Sequence, residues 1–84
     1  MSWNYRVIRK VTRVDGRDEF QYGIHEVYYD DDHVPTSCTV DPVAPYGDTE
    51  DELAKDMRYF AAALEKPVLD YDSFSVKSES NVVE

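Results

Sequence analysis

Val7-Ile8-Arg9-Lys10-Val11-Thr12-Arg13-Val14-Asp15-Gly16-Arg17-Asp18-Glu19-Phe20-Gln21-Tyr22-Gly23-Ile24 is the stretch that decides the fold. Two runs rich in β-branched and aromatic residues flank Asp15-Gly16, a dipeptide suited to the two-residue turn of a β-hairpin. That turn sets Val11 opposite Phe20, Arg9 opposite Tyr22 and Val7 opposite Ile24. Carried outward, the same register sets Tyr5 opposite Glu26 and Trp3 opposite Tyr28. One face of the hairpin is then mostly apolar. The other carries Asn4, Arg6, Ile8 and Lys10 against Val27, His25, Gly23 and Gln21, and reads as mostly polar. A slip of one residue would destroy this sorting. The sequence therefore predicts strands over 5–13 and 19–29, with only the first face turned to a core.

Beyond the hairpin, Asp30-Asp31-Asp32-His33 reads as an acidic loop and 36–40 as a third strand with Pro35 at its entrance. Burial favours a three-residue loop, 31–33, which would bring Ile24 opposite Val40 and turn Thr36, Cys38 and Val40 to the core. A four-residue loop would turn Ser37 and Thr39 there instead. A connection punctuated by Pro42, Pro45 and Gly47 follows. Thr49-Glu50-Asp51-Glu52 forms a capping box, in which the threonine oxygen accepts an amide of the first turn and Glu52 reaches back. The acids also suit the positive end of the helix dipole. A helix is expected over 50–65, with Leu53, Met57, Phe60, Ala61 and Leu64 in one stripe and Pro67 as its stop. The fold class that results is α+β: a three-stranded antiparallel β-meander with one C-terminal helix on one face, and a possible short fourth strand near Val68-Leu69. Residues 1–74 form a single domain in this reading. The acidic, polar stretch 75–84 has too little apolar surface to offset ordering entropy and is expected to be disordered.

The whole chain has 84 residues and a net charge of −9. A domain of this size buries only about 60% of its unfolded surface, which leaves little room for both a core and a deep catalytic cavity. The charge is unevenly spread: residues 1–17 hold Arg6, Arg9, Lys10, Arg13 and Arg17 against Asp15 alone, and the remainder is strongly acidic. Direct nucleic-acid binding is not expected from that balance, because neutralising phosphates needs a dominant basic surface. No apolar run approaches the roughly 20 residues of a membrane span, and the N-terminal residues lack the pattern of a signal peptide. The single cysteine, Cys38, excludes an internal disulfide, so a cytoplasmic location is expected.

No residue pattern points to catalysis or to a cofactor. Asp30, Asp31 and Asp32 lack the alternate spacing, glycine and distant glutamate of a calcium loop. His25, His33 and Cys38 are too few and too irregular for structural zinc. His25 is expected on the exposed polar face. Cys38, mid-strand with nothing to activate it, reads as a small buried hydrophobe. The seven tyrosines are a stronger signal. Tyr5, Tyr22 and Tyr28 belong to the core face, whereas Tyr29, Tyr46, Tyr59 and Tyr71 are harder to bury and suit a partner surface. Together with Asp30, Asp31 and Asp32 they make the expected interaction surface. Arg9, on the otherwise apolar face, is expected to snorkel past Tyr22 to the sheet edge or to pair with Glu26.

Tyr22-Gly23-Ile24-His25-Glu26-Val27-Tyr28-Tyr29-Asp30 and Ala63-Leu64-Glu65-Lys66-Pro67-Val68-Leu69 resemble segments of a family of small uncharacterised bacterial proteins. The resemblance implies a bacterial cytosolic origin and brings no active site, ligand or partner. Strands followed by an acid-capped helix are also similar in architecture to antitoxin domains of HicB type, which neutralise a small basic RNA-cleaving protein. The expected function is thus a non-enzymatic protein–protein interaction module whose partner is an unidentified protein or a second copy. Two alternatives stand beside it. One is an acidic nucleic-acid mimic or antitoxin-like inhibitor of a basic protein. The other is a small-ligand binder using Arg9, Tyr22 and Glu26.

Overall fold

The computed structural model describes residues 2–74 and the backbone of 76–78. It is α+β. Strands β1 (Ser2–Val14) and β2 (Arg17–Tyr29) form a long hairpin, β3 (Pro35–Thr39) pairs antiparallel with β2, and one helix, α1 (Glu50–Ala63), follows. The short strand β4 (Leu69–Asp70) adds parallel to β1, and β5 (Val76–Ser78) adds parallel to β3. The sheet is therefore mixed, in the order β4-β1-β2-β3-β5. The fourth strand suggested near Val68-Leu69 is present as β4. Of the tail 75–84, residues 76–78 pair as β5, and the others lie outside the described residues.

The hairpin register is the one read from the turn. Val7 faces Ile24, Arg9 faces Tyr22, Val11 faces Phe20 and Trp3 faces Tyr28. Asp15 and Gly16 both take positive φ, 51° and 79°, which a two-residue turn of this hand requires. Each strand has 13 residues, and at roughly 3.3 Å per residue reaches about 43 Å. The molecule measures 45 Å along its longest axis, so the hairpin sets its length.

Both faces of the inner hairpin are covered, and this corrects the expectation of a one-sided sheet. On the first face Tyr5 packs against Phe60 of α1, ring centroids 4.4 Å apart, and Val7, Phe60 and Ala63 are buried. On the second face Ile8, Val27 and Cys38 form a core with Phe74, and Tyr29, Leu69 and Tyr71 pack at its margin. The cover over this face comes from the segment after β4, a 3-10 turn (Tyr71–Ser73) and Phe74, while β4 extends the sheet edge and packs Leu69 beside it. Ile8 and Val27, assigned to a polar face from the sequence, are 1% and 0% exposed. His25 belongs to the same buried layer, at 2% exposure, and is not a surface histidine.

The third strand also departs from expectation. Val27 faces Cys38 and Tyr28 faces Ser37, with a register shift at Tyr29, which faces Pro35. Ile24 does not meet Val40. The preferred loop assumed that Cys38 needed the helix face; it is buried instead on the second face, beside Val27. Asp30 stabilises the loop. Its carboxylate accepts the backbone N–H groups of Asp32 at 2.8 Å and Val34 at 3.0 Å, a local turn that aspartate favours. After β3 the chain stays on the edge of β2, where the Val43 N–H donates to the Ile24 carbonyl. Gly23 makes room for it, since a Cβ there would lie 3.0 Å from the ring of Pro42.

Helix α1 begins as its capping sequence dictates. The Thr49 hydroxyl accepts the Glu52 N–H at 3.1 Å, while the Glu52 carboxylate reaches back to the Asp48 N–H at 2.9 Å. Gly47 lies so close to the first turn that a Cβ would come within 2.3 Å of the Leu53 nitrogen. The stripe expected to be buried is only partly so: Phe60 is covered, but Leu53, Met57 and Leu64 are exposed. On the sheet, Val11, Phe20 and Tyr22, also expected in the core, are exposed as well. For the sheet residues the reason is length. Fourteen helical residues at about 1.5 Å each span about 21 Å, half the length of the strands below.

Candidate interaction surfaces

The outer half of the hairpin projects as an arm. Every residue from Val11 to Tyr22 is exposed, although the cross-strand pairing continues to Val14 and Arg17. On its first face Val11, Phe20 (51% exposed) and Tyr22 (62% exposed) lie side by side. Arginines frame them. The Arg9 guanidinium sits 5.0 Å from the centre of the Phe20 ring, and Arg13 pairs with Asp18 at 3.0 Å. Arg9 does not use Glu26. It donates to Asp70 of β4 at 2.9 Å, and that partner's carboxylate raises the guanidinium's pKa further above its already high value. Glu26 instead accepts the Tyr28 hydroxyl at 2.5 Å.

A second feature is a groove of about 580 Å³ where the inner end of β1 meets α1, lined by Trp3, Asn4, Tyr5, Asp56, Tyr59, Ala62 and Lys66. Trp3 and Tyr5 meet edge to face, centroids 5.2 Å apart and planes at 81°. The Tyr5 hydroxyl donates to Asp56 at 3.0 Å. Burial, and then the neighbouring Asp56, push the Tyr5 hydroxyl pKa up to about 12, so it remains protonated. The other Asp56 oxygen accepts the Tyr46 N–H at 2.9 Å.

A third site, of about 400 Å³, opens between Lys10, Gln21, Tyr22, His25 and the loop at Asp41-Pro42. His25 is locked there. Its Nδ1 lies 2.9 Å from the Thr39 carbonyl oxygen, which can only accept, so Nδ1 carries the proton. Burial lowers the His25 pKa, with the Thr39 bond opposing and Lys10 reinforcing the shift. Lys10 donates to the Val40 carbonyl at 3.2 Å and lies 4.3 Å from the Tyr71 ring centre.

The residues singled out from the sequence do not gather into one surface. Tyr29 lies at the margin of the second-face core, its hydroxyl donating to Asn4 at 2.7 Å and accepting from Arg6 at 2.9 Å. Tyr71 lies at that same margin. Tyr59 lines the aromatic groove, and Tyr46 is tied to it through Asp56 and bonds its own hydroxyl to Asp48 at 2.8 Å. Asp30 organises its loop, whereas Asp31 and Asp32 are exposed on it. Neither groove is lined by Arg9 or Glu26; Tyr22 lines the one beside His25. Sequence reasoning missed the arm and the aromatic groove. The signal for the arm was available in the unequal lengths of strand and helix.

Among the described residues no helix is long and apolar enough to cross a membrane, and no group of three or more potential metal ligands occurs. No family model matches this chain, and no curated protein or solved structure is found to be similar to it.

Proposed function

We propose that the protein is a cytoplasmic, non-enzymatic protein–protein interaction module that pairs with a second copy of itself through the projecting arm. The observation that carries this reading is the uncovered row Val11, Phe20 and Tyr22 on a hairpin that continues beyond its helix. A two-stranded ribbon is marginal in water without a layer against it. The side of the sheet that bears the row also bears α1, whose Leu53 and Met57 are exposed. In a two-fold pair the arm of one protomer lies along the helix of the other. Phe20 and Val11 then meet Leu53 and Met57, and Arg13, on the same face of the arm, approaches Glu50, Asp51 and Glu52 of the first helical turn. Each copy supplies both halves of the contact, as two-fold symmetry requires. The groups that chemistry would recruit are withdrawn: Cys38 is buried, and His25 is committed to Thr39. A single, buried cysteine suits a reducing compartment.

The nucleic-acid mimic has less support. Asp15, Asp18 and Glu19 stand at the tip of the hairpin and Asp30 to Asp32 at the far end of β2, so these acids do not form one row.

Mass measured by light scattering across a concentration series tests the pairing. A dimer is expected that dissociates in Phe20→Lys with the melting temperature of the monomer unchanged. A monomer at every concentration overturns it.

A further inference from the structure

The groove between the start of β1 and α1 has the composition of a cation receptor. Its walls are aromatic on both sides: Trp3 and Tyr5 rise from the strand and Tyr59 from the helix. Trp3 and Tyr5 stand nearly perpendicular, and Phe60 backs the Tyr5 ring and holds its plane. Trp3 and Tyr59 remain about half exposed. Asp56 supplies a full negative charge in the same groove. Each of its oxygens accepts one hydrogen bond, which leaves acceptor capacity, because a carboxylate offers about four lone-pair positions.

Aromatic faces are negative and attract cations, Trp most strongly. A methylated ammonium group suits such walls better than a bare one. It has few or no N–H donors to satisfy, its methyl groups shed water readily, and its charge spreads over a surface that packs against rings. We propose that the groove formed by Trp3, Tyr5, Tyr59 and Asp56 binds an alkylated ammonium group, either a choline-type small molecule or the trimethylated lysine of a peptide. Lys66 lines the same groove, and its charge opposes the entry of a second cation. The chain's net charge of −9 raises the local concentration of any such cation.

The probe is built into the protein, since Trp3 is the sole tryptophan. Choline is titrated into the full chain while Trp3 fluorescence and backbone amide shifts are followed. Its uncharged carbon isostere, 3,3-dimethylbutan-1-ol, is titrated in parallel. A saturable response to choline and none to the isostere is expected. Tyr59→Leu, an exposed helical position, should weaken binding about tenfold, with the circular dichroism spectrum unchanged. Lys66→Gln should strengthen it severalfold. A trimethyllysine tripeptide, compared with its unmodified form, distinguishes the source. Tighter binding of the methylated peptide than of choline assigns the site to a modified protein, and equal or weaker binding assigns it to the small molecule. An equal response to choline and the isostere overturns the proposal. So does the absence of saturation by either methylated ligand at millimolar concentration.

Discussion

The two halves of one hairpin have the same pairing and opposite fates. In the inner half Val7, Ile8, His25 and Val27 are buried, between α1 on one side and the Tyr71–Phe74 segment on the other. In the outer half the same antiparallel ladder runs on, yet every side chain from Val11 to Tyr22 is exposed. Strand propensity does not separate them, since valines, arginines and aromatics occur in both. What differs is the reach of the covering layers. Backbone pairing makes a ribbon; a core needs a second layer.

The largest effect should come from placing the same kind of truncation in each half. Ile8 and Val14 lie on the same strand and the same face. Ile8→Ala should cost about 2–5 kcal/mol of unfolding free energy, as buried aliphatic truncations do. Val14→Ala should stay within about 0.5 kcal/mol, as exposed substitutions do. Urea denaturation of both variants measures this, and similar losses at the two sites would abolish the distinction between the halves.

A smaller effect is expected at Gly47, which lies under the first turn of the helix. Gly47→Ala puts a methyl against the Leu53 backbone and should cost about 1–3 kcal/mol, the range for overpacking. Thr49→Ala removes the N-cap and should cost about 1 kcal/mol. Both act on the layer that covers the inner half. Amide exchange should therefore accelerate in α1 and at Tyr5 and Val7, with the amides of 11–14 and 17–20 unchanged.

The smallest effect is a pH dependence confined to the inner half. His25 has a pKa lowered below the ordinary 6.5, so the unfolded chain takes up a proton that the native state refuses. Linkage then makes stability rise with pH across this window. The His25 contribution is complete above about pH 6.5 and is lost as the pH falls toward the lowered native value. Melting temperatures between pH 7 and 5.5 should show the decline, and His25→Gln should flatten it. An unchanged slope in that variant would show that His25 does not carry the effect.

Much of this was legible residue by residue. Asp15-Gly16 specified the turn, and with it all the partners between β1 and β2. Thr49 and Glu52 specified where the helix begins, although Glu52 reaches one residue further back than a standard capping box. The reading failed at Ile8, Val27, His25 and Cys38 for a single reason: a face interrupted by Arg6, Lys10 and Gln21 resembles a solvent face. The two terminal nitrogens of Arg6 donate to the Tyr29 hydroxyl and to the Pro67 carbonyl, its Nε staying buried without a partner, and Lys10 donates to Val40. Long basic side chains can bury their stems while their charged ends find partners. Their presence did not mark the surface. The site residues failed differently, because surface gathering depends on where distant segments meet. Tyr59 and Trp3 are far apart in sequence, and only the seating of α1 on β1 brings them to one groove.

What the chain determined by itself was local: the turn, the hairpin's pairing register, the helix cap and its stop. These rest on interactions within a few residues or across a two-residue connection, so they can be read from composition and spacing. Which faces became cores was decided only by tertiary structure. Burial depends on a second layer arriving from elsewhere in the chain, and a 14-residue helix over a 13-residue strand covers half of it because a helix advances less than half as far per residue as a strand.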